Sequence, residues 1–239
     1  EREKEIIEIE ESTKKIELIE KEIKNFEDVA TLKAVELSKK RRETAKKLSG
    51  LIEKELKDLG MTKSGFEVEF KYIEDKKSFL KINDKKIKVT QDGVDIVEFL
   101  ISPNLGESLR PLKAIVSGGE LSRIMLAIKT ILSDIDEIGT LIFDEIDAGI
   151  GGETAYSIGR KLKKIALSKQ VICITHLAQI AGMGDTNFKV YKIEDENRTK
   201  TCIEKIKGDD LIREIARMLS GENITDSSLA HAKELLSRS

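Results

Sequence analysis

Hydrophobic residues recur at every seventh position in the first part of the chain, among many Glu and Lys residues. The repeat comprises Ile9, Ile16, Ile23, Ala30 and Leu37. This spacing is typical of a coiled-coil seam. Apolar residues continue at looser helical spacing to Leu59, which predicts one helix of roughly 55 residues, about 80 Å long at ~1.5 Å per residue. No second segment of matching length follows, so we expect the partner helix to be another copy or a part of the protein outside this sequence.

Beyond Gly60 the hydrophobic pattern changes to period two. Residues 66–70, 79–82, 87–89 and 96–101 alternate apolar and polar positions, and turn residues separate them. The pattern predicts a small antiparallel sheet. Residues 102–116 carry both prolines of the chain and are expected to form a loop.

Two later segments are apolar at every position. Residues 140–143 and 171–175 form these runs, and helical patterns at 120–133 and 152–167 alternate with them. Continuous apolar strands that alternate with helices are typical of a parallel sheet covered on both faces. We therefore expect the polar residues at the carboxyl ends of these strands to share one edge, where such sheets place their chemistry.

The last part of the chain predicts a hairpin from residues 188–193 and 199–206, followed by two amphipathic helices at 209–219 and 226–236. We expect the apolar faces of these helices to be core. The patterns together predict an α/β fold, in which a parallel sheet with flanking helices and a small antiparallel sheet follow a coiled-coil helix. We place the coiled-coil segment at residues 1–59 and the α/β part at 60–239.

Composition narrows the class of protein. The 239 residues are 36% charged and carry a formal net charge of −2, so any binding to nucleic acid must depend on a local patch. No apolar stretch approaches the ~20 residues of a membrane helix, and the two cysteines are far apart with no zinc-type spacing. We expect a cytoplasmic, nucleoid-associated protein with no membrane contact. The chain opens in mid-pattern without Met, which suggests a piece of a longer protein.

Three polar groups follow apolar segments at the expected active edge. Asp144-Glu145 supplies paired carboxylates, which a nucleotide hydrolase uses to hold Mg²⁺ through water and to activate the attacking water. Ser117-Gly118-Gly119-Glu120 places a hydroxyl and unobstructed amides at a helix N-terminus, which favours an anion such as phosphate. His176 could donate to a γ-phosphate. Each group alone is also compatible with a cap, a turn or a structural histidine, but their order along one inferred sheet favours a shared site.

The motifs resemble those of ABC-type ATPases. Residues 116–123, Val-Ser-Gly-Gly-Glu-Leu-Ser-Arg, are similar to the signature motif in the branch that maintains and repairs chromosomes. Residues 142–145, Ile-Phe-Asp-Glu, resemble the Walker B strand, Asp147 falls at the D-loop and His176 at the switch histidine. Longer matches at residues 143–152, 175–181 and 214–221 resemble one bacterial DNA repair family in this branch.

The resemblance implies that two heads sandwich ATP and Mg²⁺ in a homodimer. By analogy, Asp144 would hold the Mg²⁺ shell through water, Glu145 would be the general base and His176 would sense the γ-phosphate. The signature residues would bind ATP in trans, and Asp147 would couple the two sites; the signature residues are Ser117, Gly118, Gly119 and Glu120. The implied process is ATP-gated head engagement in DNA double-strand-break repair.

The sequence departs from the family at one point, because it contains no G-x-x-x-x-G-K-[ST] phosphate-binding loop. The family builds its head from both ends of a long chain. We therefore expect this chain to be a C-terminal half, with the P-loop lobe and the antiparallel coiled-coil strand supplied by the N-terminal half of the same protein. Alone, it is expected to hydrolyse little ATP.

A basic cluster near the inferred junction of coil and head could contact the DNA backbone, although a solvated helix face explains it equally well. The cluster comprises Lys39, Lys40, Arg41, Arg42, Lys46 and Lys47. Two other functions remain open: a head of another chromosome-maintenance ATPase, for condensation or with an exonuclease, and a non-catalytic coiled-coil scaffold. A transporter subunit fits least, since it has no place for a long coiled coil.

Overall fold

The structure, a computed structural model, describes residues 2–104, 106–133, 135–195 and 198–237. The chain forms two compact units. The first unit contains residues 1–49 and 67–100, and the second contains 50–66 and 101–239. The boundary that the sequence predicts at residues 59 and 60 lies close to the end of the first helix, and the assignment of a coiled-coil segment and a head lobe stays a prediction.

Helix α1, Arg2–Asp58, is a single helix of 57 residues, which confirms the long helix expected from the heptads. The apolar seam of its first part faces solvent: Ile9, Ile16, Ile23 and Phe26 are all more than half exposed. No helix in the described parts of the chain is both long and apolar enough to cross a membrane.

The period-two segments form short strands. Strand β1 is Gly65–Lys71, β2 is Lys81–Ile82, β3 is Lys85–Lys86 and β4 is Ile96–Ser102. β2 and β3 pair in antiparallel register, with Ile82 opposite Lys85. Both residues of the connecting turn, Asn83 and Asp84, have positive φ, as a tight two-residue hairpin requires.

Two sequence-based expectations in this region are wrong in detail. Residues 87–89 do not form the expected strand. The Ile87 N–H continues the hairpin by one hydrogen bond, to the Leu80 carbonyl at 2.9 Å, and Ile87 also forms an isolated bridge with Glu74. The predicted loop at residues 102–116 contains strand β5, Arg110–Pro111, and a 3₁₀ turn, Leu112–Ala114. β5 is the third strand of a sheet whose order is β1-β4-β5.

A small core fills the first unit. Ala34, Leu80, Ile87 and Val94 are buried together. Beside them the Asp95 carboxylate has no exposed surface and lies 3.5 Å from Arg41 Nη1 and 3.6 Å from Arg42 Nη2. The Ser38 hydroxyl donates to the same carboxylate at 2.7 Å. A buried charge needs this kind of compensation, so the two arginines hold this unit together.

The second unit contains the parallel sheet that the sequence predicts. Helix α2 spans Gly118–Leu132, strand β6 Thr140–Phe143, helix α3 Gly152–Ala166 and strand β7 Gln170–Cys173. β6 and β7 pair in parallel, with Leu141 opposite Val171 and Phe143 opposite Cys173. α3 packs against both β7 and α2. The α/β fold class is therefore confirmed.

The expectation that this sheet is covered on both faces is not met by the described residues. Leu141 and Phe143 are buried, whereas the alternate positions Ile142, Ile172 and Ile174 are 68%, 45% and 57% exposed. Successive strand side chains point to opposite faces, so the three isoleucines lie on one uncovered apolar face. Polar residues at these alternate positions would have predicted an exposed face, whereas isoleucines predict a buried one.

The last part of the chain contains the expected hairpin and helices and one further short helix. Helix α4, Ala178–Ala181, was not expected. The antiparallel strands β8, Asn187–Asp195, and β9, Arg198–Ile206, follow it and form the expected hairpin. Helices α5, Asp209–Ser220, and α6, Asp226–Ser237, follow. They bury a common cluster that includes Ala178, Ile215, Ala216, Ala232 and Leu235, so their apolar faces are core, as predicted.

Candidate functional site

The paired carboxylates lie directly after β6. Asp144 and Glu145 are both exposed. The Glu145 N–H donates to Asp144 Oδ1 at 2.9 Å, and the Ser122 hydroxyl of α2 donates to the Asp144 carbonyl at 2.7 Å. Glu145 has φ +54°, a left-handed conformation that a non-glycine residue rarely adopts. The strand thus ends in a strained, hydrogen-bonded turn with both acids accessible, as a metal- and water-handling site requires.

The N-terminus of α2 lies against this turn. A methyl group at Gly118 would collide with the Glu145 carboxylate, and one at Gly119 would lie 2.9 Å from Ala148 Cβ and 3.0 Å from the Glu145 carbonyl oxygen. Only glycine therefore fits at position 119, whereas the contact at Gly118 is with the flexible end of the exposed Glu145 side chain. Ser117 caps the helix by accepting from the Glu120 N–H at 3.4 Å. The structure brings the predicted anion site and the acidic pair together.

Arg123 ties α2 to the same turn, a role that sequence reasoning did not find. The guanidinium donates to the carbonyls of Ala148 at 3.0 Å and Ile146 at 3.4 Å, and the residue is 8% exposed. Burial lowers the pKa of Arg123, although the charge of Glu120 opposes that shift. A buried arginine that ties a helix to a turn in this way stabilises the site rather than contacting a ligand.

Asp147 is buried beside the residues that follow β7. Its Oδ2 accepts hydrogen bonds from Thr175 Oγ1 at 2.5 Å and from the His176 backbone N–H at 2.8 Å, and it lies 3.1 Å from His176 Nδ1. The His176 ring itself is 70% exposed. Two predicted site residues are thus in contact, and Thr175, a hydroxyl just beyond β7 with no distinct signal in the sequence, donates to the same carboxylate.

Cys173 lies beside these carboxylates on β7. Burial, followed by the charges of Asp147 and Asp144, raises the pKa of this thiol to about 12. The thiol is therefore protonated at neutral pH and is a poor nucleophile. This agrees with the expectation that Cys173 behaves as a small hydrophobic residue.

The predicted basic cluster divides into two groups in the structure. Lys39, Lys40, Lys46 and Lys47 are exposed on α1. Arg41 and Arg42 are bound to Asp95, and the Arg42 guanidinium also lies 4.5 Å from the centroid of the Phe70 ring. The two arginines therefore serve the first unit, whereas the lysines face solvent, Lys40 with an ion pair to Glu36 at 2.8 Å.

The donors suit Mg²⁺ bound together with a nucleotide rather than a protein-only metal site. Within the described residues, no group of three or more His, Cys, Asp or Glu side chains is arranged to hold a metal ion. Mg²⁺ commonly takes one or two carboxylates and completes its shell with water and substrate phosphates. Asp144 and Glu145 fit that pattern.

Comparison with known proteins gives the following relatives. No family model matches the chain. The chain is 40% identical over 236 residues to the DNA repair protein RecN of Bacillus subtilis. The matched region covers 98% of this chain and 41% of that protein. It is 46% identical over 200 residues to the DNA repair protein RecN of Treponema pallidum, covering 84% of this chain and 34% of that protein.

Solved structures of low sequence identity are also similar. An Smc head domain with a coiled coil and joint from Pyrococcus yayanosii matches 75% of this chain and 30% of its own length, with 16% identity and a TM-score of 0.49. A structure from work on ATP-driven dimerization of SMC ATPases matches 78% of this chain and 99% of its own, with 16% identity and a TM-score of 0.42.

The signature-type helix start, the Walker B-type strand end and the switch-type histidine meet at one edge of a parallel sheet, in a chain with close sequence relatives. Over the part that it spans, the chain belongs to the RecN family. It spans about two fifths or less of the length of these curated relatives.

Proposed function

We propose that this chain is the signature, Walker B and switch-histidine lobe of an ATP-hydrolysing head in a protein that acts in DNA double-strand-break repair. The observation that carries the proposal is the convergence of Glu145, Gly118 and His176 on one side of the β6–β7 sheet, in a chain 40% identical to a DNA repair protein. The cellular location that follows is the nucleoid in the cytoplasm.

The exposed acids would carry the hydrolytic chemistry. Asp144 would hold Mg²⁺ through water, and Glu145 would accept the proton of the attacking water. His176 would contact the γ-phosphate side of the nucleotide through its exposed ring. Bound Mg²⁺ would neutralise charge on the phosphates. The left-handed turn and the close approach of Gly119 to the Glu145 carbonyl oxygen support this assignment, because they fix the Glu145 backbone beside the helix start.

The signature segment would serve a second head. Ser117, Gly118 and Gly119 present a capped helix N-terminus that favours a phosphate anion, and Glu120 lies in the first turn. We propose that the segment contacts ATP bound to the partner head, in a homodimer that forms through the nucleotide. Asp147 would couple the two sites after its own hydrogen bonds rearrange.

A complete site needs a phosphate-binding loop that this sequence does not contain. We propose that it comes from the N-terminal half of the same protein, together with the antiparallel strand of the coiled coil. Two uncovered surfaces support this pairing. Ile142, Ile172 and Ile174 expose one face of the parallel sheet, and the α1 seam is exposed over several turns. A parallel sheet is stable when both faces are covered.

DNA contact is proposed for the four exposed lysines of α1. Lys39 and Lys46 are seven residues apart and share a helix face, as do Lys40 and Lys47. Phosphate contacts need positive charge rather than a particular shape, so such a lysine stripe is sufficient for sequence-independent binding.

The test of hydrolysis mixes this chain with the separately produced N-terminal half and measures steady-state ATP turnover. Activity should appear only in the mixture. Glu145→Gln should abolish it, whereas Glu153→Gln, an exposed acid at the start of α3, should leave it unchanged. A folded mixture that binds ATP without hydrolysing it would overturn the catalytic assignment and favour the non-catalytic scaffold.

The test of DNA binding uses the same mixture and the double variant Lys39→Glu, Lys46→Glu. We expect weaker binding to duplex DNA and a shallower dependence of affinity on salt, by about one unit of slope for each lost phosphate contact. The matched control is Lys14→Glu, Lys21→Glu, which has the same charge change and the same seven-residue spacing on α1. Equal effects of the two variants would contradict the assigned stripe.

A further inference from the structure

The carboxylate of Asp147 collects its hydrogen bonds on one oxygen. Oδ2 lies 2.5 Å from Thr175 Oγ1, 2.8 Å from the His176 backbone nitrogen and 3.1 Å from His176 Nδ1. An ionised carboxylate can only accept, so the Thr175 hydroxyl and the His176 backbone N–H donate to it. His176 Nδ1 lies 3.1 Å from the same oxygen, where an unprotonated nitrogen would bring its lone pair close to the negative charge. The contact therefore favours a proton on Nδ1 of His176.

We propose that Asp147 is a positioning residue that acts within its own chain to hold His176 in the Nδ1–H form. Nε2 is then the ring nitrogen presented to a ligand. This inference rests on the proposed function, in which His176 meets the γ-phosphate side of the nucleotide. Held this way, Nε2 of the neutral ring can accept a hydrogen bond from a ligand, and in a ring protonated on both nitrogens it would donate one to a phosphate oxygen.

Asp147 and His176 differ strongly in their exposure to solvent. The Asp147 side chain is 4% exposed, whereas the His176 side chain is 70% exposed. The carboxylate is fixed by the fold, so the ring is anchored through Nδ1 while its far edge stays accessible. Among the two ring nitrogens, the hydrogen bond that one makes decides the state of the other.

Thr175 completes the anchor. Its hydroxyl donates to Asp147 and accepts from the Leu177 N–H at 3.0 Å, which closes a small turn around His176. The backbone N–H of His176 points to the same carboxylate as its ring. The backbone and the ring of His176 thus both contact Asp147, so a shift of the segment that carries Asp147 would move the histidine.

The arrangement also constrains the proposed coupling across a dimer. With 4% of its side chain exposed, Asp147 offers little surface to a second head while Oδ2 contacts Thr175 and His176. Any contact with a partner must first release His176. Coupling would then operate by freeing or orienting the histidine, rather than by a new direct bond alone.

The experiment is nitrogen NMR of the histidine rings in this chain, labelled uniformly with ¹⁵N. At pH 9 an ordinary imidazole, with a pKa of about 6.5, is neutral, so the two nitrogens have distinct shifts. The chain has two histidines, and His231→Gln assigns the signals of His176. We expect Nδ1 of His176 in the protonated, pyrrole-type range and Nε2 in the pyridine-type range. The Nε2–H pattern of free histidine in the unsubstituted chain would overturn the proposal.

Variants separate positioning from simple stabilisation. Asp147→Ala should exchange the two shifts, whereas Asp147→Asn, whose amide oxygen can still accept from Nδ1–H, should keep the original pattern. Thr175→Val should also keep it, because it removes a neighbouring bond but not the acceptor of Nδ1. Should Asp147→Ala unfold, the pattern of the unsubstituted chain still decides. If His176 is Nδ1–H but the reconstituted head fails to hydrolyse ATP, the proposed function falls and this inference stands.

Discussion

Two buried aspartates, Asp95 and Asp147, show how different partners give one kind of side chain different uses. The Asp95 carboxylate is fully buried between two guanidinium groups and one hydroxyl. Asp147 is almost as buried, but its partners are a hydroxyl, a backbone N–H and the exposed ring of His176. The first carboxylate is balanced by charge and holds its unit together. The second carboxylate fixes the position of a side chain that reaches solvent.

Burial of an acid does not by itself indicate a function. The charge of a carboxylate such as Asp95 is balanced by neighbours that stay in the fold, although a buried pair often adds little net stability. A carboxylate matched by neutral donors places those donors accurately, and one of them can then act on a ligand. The following substitutions test this distinction.

The largest effect is expected at Asp95. Asp95→Ala leaves Arg41 and Arg42 without their acid, and these arginines are 32% and 45% exposed. Removing one partner of a fully buried pair costs ~3–5 kcal/mol, so with half-exposed arginines we expect about 2–3 kcal/mol, measured by urea unfolding. Asp92→Ala, an exposed acid in the same loop, should stay within about 0.5 kcal/mol. Similar losses in both variants would show that Asp95 is not a special position.

Asp147→Ala should have a smaller effect on stability. It removes the acceptor of Thr175 Oγ1 and of the His176 N–H, and an unsatisfied polar group costs about 1–3 kcal/mol. Both donors lie near the surface and can recruit water, so we expect about 1–2 kcal/mol in the same measurement. A loss larger than that of Asp95→Ala would reverse the comparison.

Arg42→Lys tests the contribution of an arginine partner of Asp95. The guanidinium stacks 4.5 Å from the Phe70 ring centroid and donates to the Tyr72 hydroxyl at 2.9 Å. Lysine keeps the charge but loses the planar stacking and the fork of donors, so we expect a loss of about 1 kcal/mol. Arg213→Lys, at an exposed position of α5, is the control and should be neutral in thermal unfolding.

The smallest effect is expected at Glu214, whose partners Arg217 and Lys189 are 46% and 37% exposed. The hydrogen bond from Arg217, and then that from Lys189, holds the pKa of Glu214 below its usual value although burial opposes the shift. The unfolded chain therefore binds this proton first as pH falls, and the stabilisation present near pH 7 is lost in acid.

The corresponding measurement compares Glu214→Gln with the unsubstituted chain by urea unfolding at pH 7 and pH 3. We expect the variant to be less stable by about 0.5 kcal/mol at pH 7, and we expect the difference to be smaller at pH 3 because protonation of the acid removes the contribution of its charge. A difference of the same size at pH 3 would mean that the charge of Glu214 is not the cause.

The sequence predicted the elements whose periodicity is long and unambiguous. The 57-residue helix, the parallel pairing of β6 with β7 and both terminal helices all follow from spacing. The order of the strands also explains why the ends carrying Asp144 and His176 could be expected at one edge. These features depend on local pattern and on simple topology, which a sequence contains.

Other features depend on contacts between distant residues. Arg41 and Arg42 have the same pattern as a nucleic-acid patch, and only the fold reveals that Asp95 binds them. Thr175 is an ordinary hydroxyl after a strand until Asp147 is placed beside it. The exposure of Ile142 was equally hidden, because an isoleucine predicts burial whether or not a covering layer is present.

The left-handed backbone of Glu145 has a consequence for selection. An L-residue in this conformation costs roughly 1–2 kcal/mol, and glycine avoids most of that cost. A search for variants that only resist heat should therefore enrich glycine at position 145, and in doing so would discard the acid. Persistence of a glutamate here would reflect pressure to keep a reaction, at the expense of the thermal tolerance that the protein could otherwise reach.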